Sequence, residues 1–367
     1  MGLLYSVAPI YNFPDPQPFH GDQIFNPYAE LQDHWWKGNF QVASYSWGGV
    51  TDGRDTADEV YQQYRKYGYD IISISDYQKI NRFRSTETDY VPTYERGYNV
   101  WKRHHLCIGA RQVNWYDLPL FQTVHHKQYI IDLTKPDVEF LTLAHPIWMK
   151  AYTPEDLSKL AGYDALEVLN HYRNSVTLWD STLSAGKKIW MVGNDDSHDV
   201  FDLEQTMRYW TMINASTSQG TEILAALKAG RSYGVDGRFG VNQNGLASLT
   251  VDSMTLHLAL DTIAAEILFI GQHGAEKAKF SDQSEARYTL SPEDTYIRTE
   301  IKMDKSKIFL NPVFKYDDSP KTAEKATVNW PLTWLYRFAL VLIYGIVIYL
   351  VIKRKKVMDW VRVRVSG

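Results

Sequence analysis

Near its C-terminus the chain carries 21 residues, 332–352, with a single charge at Arg337, and a basic run from Lys353 to Lys356 follows at once. A stretch of this kind is either a membrane span or a buried core helix. Its uninterrupted apolar part, 338–352, is short for a bilayer, but Arg337 can snorkel from the first turn and restore the length. Trp330, Trp334 and Tyr336 at one end, with Tyr349 and Trp360 toward the other, read as interfacial belts. These features predict a membrane helix. The positive-inside rule then places the C-terminus in the cytoplasm and the large N-terminal part outside, in the periplasm or an equivalent compartment. An exported part needs a signal, and Met1-Gly2-Leu3-Leu4-Tyr5-Ser6-Val7-Ala8-Pro9 is too short and lacks a basic start. The expectation is a longer N-terminal signal or membrane segment ahead of Met1. Without one, a tail-anchored protein with a cytosolic domain is the alternative topology.

The span also divides the charge. Net charge is −4, from 39 basic and 43 acidic side chains. Residues 353–367 hold six basic side chains against Asp359, a net of +5, which leaves −9 for everything ahead of them. That balance offers no pervasive basic face and argues against nucleic acid as a partner. The 367 residues suffice for two or three domains, and 44% hydrophobic with 22% charged residues exclude a wholly disordered chain. Cys107 is the one cysteine, which excludes an internal disulfide and any multi-cysteine metal site. It sits in an apolar run and reads as a buried small residue.

Residues 1–37, rich in proline and aromatics, read as an extended lead-in and as the remnant of a signal or transmembrane segment. From Gly38 a strand–helix rhythm begins and runs to about residue 240. Thr56-Ala57-Asp58-Glu59 fits a capping box and Thr153-Pro154 another helix start, with Gly68 and Gly162 as stops. Residues 70–76, 139–144, 165–169 and 188–193 read as strands, and 175–185 and 221–229 as helices. This alternation predicts a parallel α/β sheet, open or closed into a barrel. Polar residues stand just after successive strands: Asp76, His145, Asn170, Asp195, Asp196 and His198. In parallel α/β folds that rim is where sites are built. Beyond it, 241–316 alternates in the antiparallel manner and reads as a small β-sandwich-like domain. Residues 317–331 form a linker, 332–352 the span and 353–367 a basic cytoplasmic tail.

The motifs of the α/β part, taken in order, resemble those of the PHP superfamily (polymerase and histidinol phosphatase domain). They are Lys37-Gly38-Asn39-Phe40, Thr51-Asp52-Gly53, Ser75-Asp76, Leu143-Ala144-His145-Pro146, Leu166-Glu167-Val168-Leu169-Asn170 and Gly193-Asn194-Asp195-Asp196-Ser197-His198. Ala229-Gly230-Arg231-Ser232-Tyr233 fits the closing segment, and Tyr296-Ile297-Arg298 with Phe309-Leu310-Asn311-Pro312 looks like the module appended in the carbaryl-hydrolase (CehA/McbA) branch. The resemblance implies a distorted (β/α)7 barrel followed by the β domain, and a phosphoesterase centre of up to three metal ions at the strand ends. Here the implied ligand set is broken. The opening His-x-His falls on Gln41-Val42-Ala43, the His of Thr-Asp-His on Tyr77, and the bridging Glu on Arg111. The remnant metal set is Asp52, His126 (or His125), His145, Asp196 and His198. Arg111, Asp76, Glu167 and Asn170 are expected to line the site, Arg111 as an anion holder.

Two functions follow. The first is a pseudoenzyme, a membrane-anchored binding or scaffolding module for a small anionic ligand or a protein partner. The second is a hydrolase with a reduced centre, in which His145, His198 and Asp196, with Asp52, hold one zinc, manganese or iron ion. The cofactor is thus one divalent metal or none. A serine triad is excluded, since Asp196, Ser197 and His198 cannot face one another and no Gly-x-Ser-x-Gly elbow exists. His104-His105 and His125-His126 are neighbours that would point to opposite faces of a strand, so at most one of each pair can join a site, and His104-His105 reads as surface. Asn214-Ala215-Ser216 matches a glycosylation sequon, a pattern common by chance.

Overall fold

The computed structural model describes residues 2–237, 245–318 and 325–365. The expected domain junction at 240/241, residues 319–324 of the expected linker and the last two residues of the tail lie outside the described residues.

The lead-in holds α1 (Gly2–Tyr5), β1 (Tyr11–Asn12) and β2 (Gln23–Phe25). The α/β part follows with β3 (Trp35–Asn39), α2 (Ala57–Lys66), β4 (Ile71–Ile72), β5 (Thr93–Arg96), β6 (His105–Ala110), α3 (Val124–Thr134), β7 (Val138–Leu143), α4 (Pro154–Lys159), β8 (Ala165–Leu169), α5 (Val176–Ser184), β9 (Trp190–Gly193), β10 (Tyr209–Asn214), α6 (Gly220–Ala229) and β11 (Ser232–Asp236). The antiparallel part is β12 (Leu246–Asp252), β13 (Thr255–Ile270), β14 (Glu276–Thr289), β15 (Tyr296–Lys302), β16 (Lys307–Leu310), β17 (Val313–Tyr316) and β18 (Thr327–Val328), and the chain ends in α7 (Trp330–Val365).

Local chemistry sets several of these bounds. Thr56 and Glu59 cap α2 reciprocally, as Thr153 and Asp156 cap α4, so each pair satisfies two otherwise orphaned backbone donors. Gly230 ends α6 in the left-handed region at φ +76, and a Cβ there would lie 2.8 Å from the Trp190 ring. Both requirements select glycine.

β5-β6-β7-β8-β9 form a five-stranded sheet, antiparallel at β5/β6 and β6/β7 and parallel at β7/β8 and β8/β9. An eleven-stranded sheet runs along β12-β13-β15-β16-β11-β10-β3-β4. The expected closed barrel is corrected here: among the described residues no ladder closes the two sheets, whose edges are linked by single parallel bridges, Tyr77 with Glu95 and Val42 with Ser197, and by side-chain bonds such as that of Thr211 to Gly193. The expected strand over 70–76 likewise shrinks to Ile71–Ile72. Side chains are the reason. The amide of Val42 donates to Ser75 Oγ (3.1 Å) and that of Ser44 to Asp76 Oδ1 (2.8 Å), replacing ladder bonds with side-chain bonds.

The antiparallel strands are not a free-standing sandwich. β11 pairs antiparallel with β16, so they continue the sheet that carries β3 and β10. One buried apolar cluster runs from Val60 and Tyr64 of α2 through Trp210 to Leu258, Ile267 and Ile301. A second lies under the five-stranded sheet, with Leu106, Leu141, Leu166, Trp179 and Ile223. Arg298 of β15 fixes the ribbon to α5, its Nε and Nη2 donating to the two oxygens of Asp180 at 2.6 and 2.8 Å.

α7 contains one stretch long and apolar enough to cross a membrane, Trp330–Lys356, with mean hydropathy 2.3. Its first turns touch the protein. Thr333 Oγ1 accepts the Ile10 amide at 2.9 Å, and Arg337 donates to the carbonyls of Ser6 (3.2 Å) and Val7 (2.7 Å). From Val341 to Ile352 every residue is exposed.

Candidate metal centre

β7, β8 and β9 are parallel, so their C-terminal ends share one edge of the sheet, and His145, Asn170 and Asp196 follow them there. β6 runs the other way, pairing His105 with Leu143, which brings its N-terminal end to the same edge. His104, just ahead of β6, thereby joins Glu95 of β5 and His145. Ligand-capable atoms of Glu95, His104 and His145 all lie within 4.8 Å of one another, and all three residues are buried. Glu95 Oε1 is 2.5 Å from His104 Nδ1 and 3.3 Å from His145 Nε2. The same His145 nitrogen is 4.0 Å from Asp196 Oδ2.

A polar layer supports this group. Asn170 donates to Glu167 Oε2 (2.9 Å) and to Asp196 Oδ2 (3.1 Å). Glu167 also accepts from the His145 amide and from Asn194, each at 2.9 Å. Tyr77 closes one side, its ring edge-on to His104 (centroids 5.4 Å) and tilted against His198 (6.1 Å). His145 and Asp196 both take left-handed backbone conformations, φ 30 and 53, which cost non-glycine residues on the order of 1–3 kcal/mol each. Strain of this kind at two candidate ligands is what a site that positions side chains displays.

Burial and mutual charge set the protonation of these groups. Burial raises the carboxyls of Glu167 and Asp196 above their ordinary values, and the nearby Glu95 charge adds to both. Burial also raises Glu95, but the charges and hydrogen bonds of His104 and His145 reverse this and hold it well below its usual range. Burial pushes the His198 ring down, toward the neutral form that ligates; it pushes the His104 ring down as well, against the charge and hydrogen bond of Glu95, which favour the protonated ring. The Tyr77 phenol is held up by burial and by the charges of Glu95 and Asp196, so it remains a donor. Buried polar atoms with no hydrogen-bond partner among the described residues include both side-chain atoms of Gln41, Nδ1 of His145 and Nδ1 of His198. Gln41 adjoins Asp196, whose amide donates to its carbonyl at 2.8 Å. Imidazole and carboxylate donors together suit zinc, manganese or iron, and the orphaned His198 Nδ1 fits an electrophilic partner, whereas the His145 nitrogen that faces Glu95 and Asp196 is Nε2.

Other expected residues fall elsewhere. Asp52 lies in the loop after β3, accepting the amides of Trp47 and Gly49, and its charge acts on His198 from there. Gly53 beside it is required, since a Cβ would come within 1.9 Å of the Ala43 carbonyl. Asp76 is buried but engaged with Ser44 Oγ and Asn81, each at 2.8 Å, and holds the loop. Two placements are corrected. Arg111 follows the other end of β6, exposed, 3.9 Å from Asp137 and 3.8 Å from Glu139, and does not enter the site. His126 caps α3 through Thr123 and reaches the Tyr5 carbonyl at 3.1 Å, while His125 accepts the Tyr11 amide; both anchor the lead-in. The surface reading of His104-His105 is corrected too, for both are buried. Glu95 was not singled out by sequence at all. Burial lifts the Cys107 thiol to about 12, which leaves it inert.

Nearby, Lys102 stands over the Trp148 ring (5.7 Å), and its charge acts on both His104 and His198. Trp148 stacks on Tyr172 (4.2 Å) and meets His145 edge-on (5.2 Å), forming an aromatic wall.

No protein-family model matches the chain, and no curated protein matches its sequence. Among solved structures the chain is similar to a two-domain protein of Bacteroides vulgatus ATCC 8482 that contains a predicted PHP-like metal-dependent phosphoesterase. The identity is 14% and the TM-score 0.41, over 86% of this chain and 99% of that one.

Proposed function

We propose that the chain is a membrane-anchored hydrolase of phosphoesters that works with one divalent transition metal. The observation that carries this is the convergence of Glu95, His104 and His145 within 4.8 Å, with Asp196 4.0 Å from His145 and His198 against the same Tyr77 ring as His104. The bridging carboxylate that the resemblance puts at Arg111 has a counterpart in Glu95. These five residues would hold the ion, with Glu167 and Asn170 fixing His145 and Asp196 behind them. A divalent ion there supplies Lewis acidity toward a phosphoryl oxygen and lowers the pKa of water. The chain's own groups do the rest. Lys102 attracts the anionic substrate, Tyr77 donates a hydrogen bond to a phosphoryl or leaving oxygen, and the Trp148–Tyr172 wall restricts bulk water. The reaction class comes from the motif resemblance. Lys353 to Lys356 directly after the span support an extracytoplasmic site.

A second reading, a pseudoenzyme binding module, is favoured by Gln41, Ala43 and Tyr77, none of them a good ligand at the positions where the resemblance puts imidazoles. Hydrolysis decides between them. Full-length protein stripped by chelator and reloaded with zinc, manganese or iron is expected to cleave bis(p-nitrophenyl) phosphate or p-nitrophenyl phosphate. It should lose that activity on His198→Ala. No turnover with any of the three metals would leave the binding module.

A further inference from the structure

With the exception of Ile263, every large apolar side chain that stands exposed among the described residues ahead of α7 lies in the N-terminal segment or in the loops around the candidate centre. Trp47, Trp101, Trp115, Phe121, Met149 and Phe201 represent this rim, from 37% to 62% accessible. Soluble surfaces scatter such residues singly, and a cluster in one set of loops marks a contact with something apolar.

The rim is continuous with the membrane helix through hydrogen bonds and ring contacts. Trp47 meets Trp115 edge-on at 6.4 Å, and the loop that follows Trp115 bonds to the 97–102 loop, the Val100 amide donating to the Pro119 carbonyl at 2.9 Å. Phe121 packs on Tyr5 (4.9 Å), the Leu120 amide donates to the Tyr5 hydroxyl (3.0 Å), and Tyr116 donates to the Leu4 carbonyl (3.2 Å). α7 meets Ile10 first, through Thr333, and then Ser6 and Val7, through Arg337. It therefore runs antiparallel to this segment, toward Tyr5, Leu4 and the rim. The apolar stretch beyond Arg337 leaves the protein on the side of these rim loops. That stretch, 338–352, rises only about 22 Å as a helix, against a hydrocarbon core of about 30 Å. Seating the rim and the first turns of α7 in the interface relieves the mismatch. Tryptophans and nearby lysines suit that layer: Lys79 lies over the Trp47 ring at 5.8 Å and Lys102 over Trp148.

We infer that the rim loops are seated in the bilayer interface, so that the centre opens onto the headgroup layer and its substrate is a phosphoester carried by a membrane lipid. The substrate class rests on the proposed hydrolase function; the seating does not. In the step itself, water adds to phosphorus, the ester P–O bond breaks, and the departing alcohol takes the proton.

The test uses the full chain in nanodiscs of phosphatidylcholine and phosphatidylglycerol, with Cys107→Ala and a single environment-sensitive label at Trp101→Cys, Phe121→Cys or Ile263→Cys. Labels at 101 and 121 should shift to the blue and be quenched by lipids bearing a nitroxide near the headgroup, and the label at 263 should not. In the metal-loaded protein, Trp101→Ser should lower turnover of nanodisc phosphatidylglycerol about tenfold while leaving that of soluble bis(p-nitrophenyl) phosphate unchanged. Rim labels as solvent-exposed as the one at 263 overturn the seating, even if the soluble diester is cleaved. Soluble turnover without any lipid turnover overturns the substrate class. Quenched rim labels with no turnover of either ester sustain the seating and remove the hydrolase reading instead.

Discussion

Replacing Arg298 with methionine tests whether the antiparallel ribbon is a rigid part of the body that holds the centre. Arg298 is 2% accessible and makes a two-pronged contact with Asp180 of α5, with Glu300 as a further partner and Trp179 stacked at 5.4 Å. Glu300 keeps Lys307 when the guanidinium is removed, but Asp180 keeps only long contacts of 3.4 Å from the Tyr296 hydroxyl. The loss is therefore dominated by one buried, uncompensated carboxylate and should be about 3–5 kcal/mol. Combining Arg298→Met with Asp180→Leu removes both charges, and the double variant should return to within about 2 kcal/mol of the parent. Burial raises the Glu300 carboxyl, but Arg298 and Lys307 outweigh this and hold it below 4.5. Its contribution is complete above that pH and is lost as pH falls through the folded value, a loss the Arg298→Met protein should show less of. Urea unfolding of the full chain in detergent, followed by tryptophan fluorescence, reads all three. A loss under about 1 kcal/mol in the single variant, or a double variant no more stable than it, would refute the reasoning.

Other expectations follow from the same geometry. Burial holds Lys37 down from 10.5 to about 8, although its ammonium lies over the rings of Tyr69 (4.0 Å) and Trp210 (4.2 Å). The buried charge costs most below pH 8, and the cost fades as pH rises from 8 toward 10.5, where the folded chain releases its proton before the unfolded one does. Lys37→Met should therefore be more stable than the parent at neutral pH by up to about 3 kcal/mol, with the gap closing by about pH 10 in urea titrations; a constant gap contradicts this. Asn170→Leu leaves Glu167 and Asp196 without their shared donor and should weaken metal binding about 10–100-fold in a competition titration with a chelator. Lys102→Met should raise KM for an anionic phosphoester about fivefold at low salt with kcat nearly unchanged, and the difference should shrink at high salt.

Much of the candidate site's edge is legible in sequence, and the exceptions share a cause. Polar residues after strands mark the site edge only where strands run parallel, which holds for β7, β8 and β9 and so reaches His145, Asn170 and Asp196. β6 is antiparallel, so its start, not its end, lies on that edge. His104 is therefore overlooked at the start, and Arg111 wrongly favoured at the end. Glu95-Arg96 looks like a solvated pair, yet both are buried, because this short strand packs charged side chains on both faces, toward His104 and toward Asp117. The broken barrel was hidden for a different reason. Ser75 and Asp76 read as strand residues, but their side chains take the backbone donors that a ladder would use. The helix long and apolar enough to cross a membrane was visible from composition alone, whereas the grip of Arg337 on Ser6 and Val7 depends on a contact between residues more than 300 positions apart.

The central claim is that Glu95, His104, His145, Asp196 and His198 form a centre for a single metal ion. Metal content per chain, measured by mass spectrometry on full-length protein exposed to zinc, manganese and iron and then freed of excess, tests it most directly. The account predicts one tightly held ion, lost in both Glu95→Gln and His145→Ala while circular dichroism stays that of the parent. A chain that retains no ion, or one that keeps its ion in both variants, would contradict it.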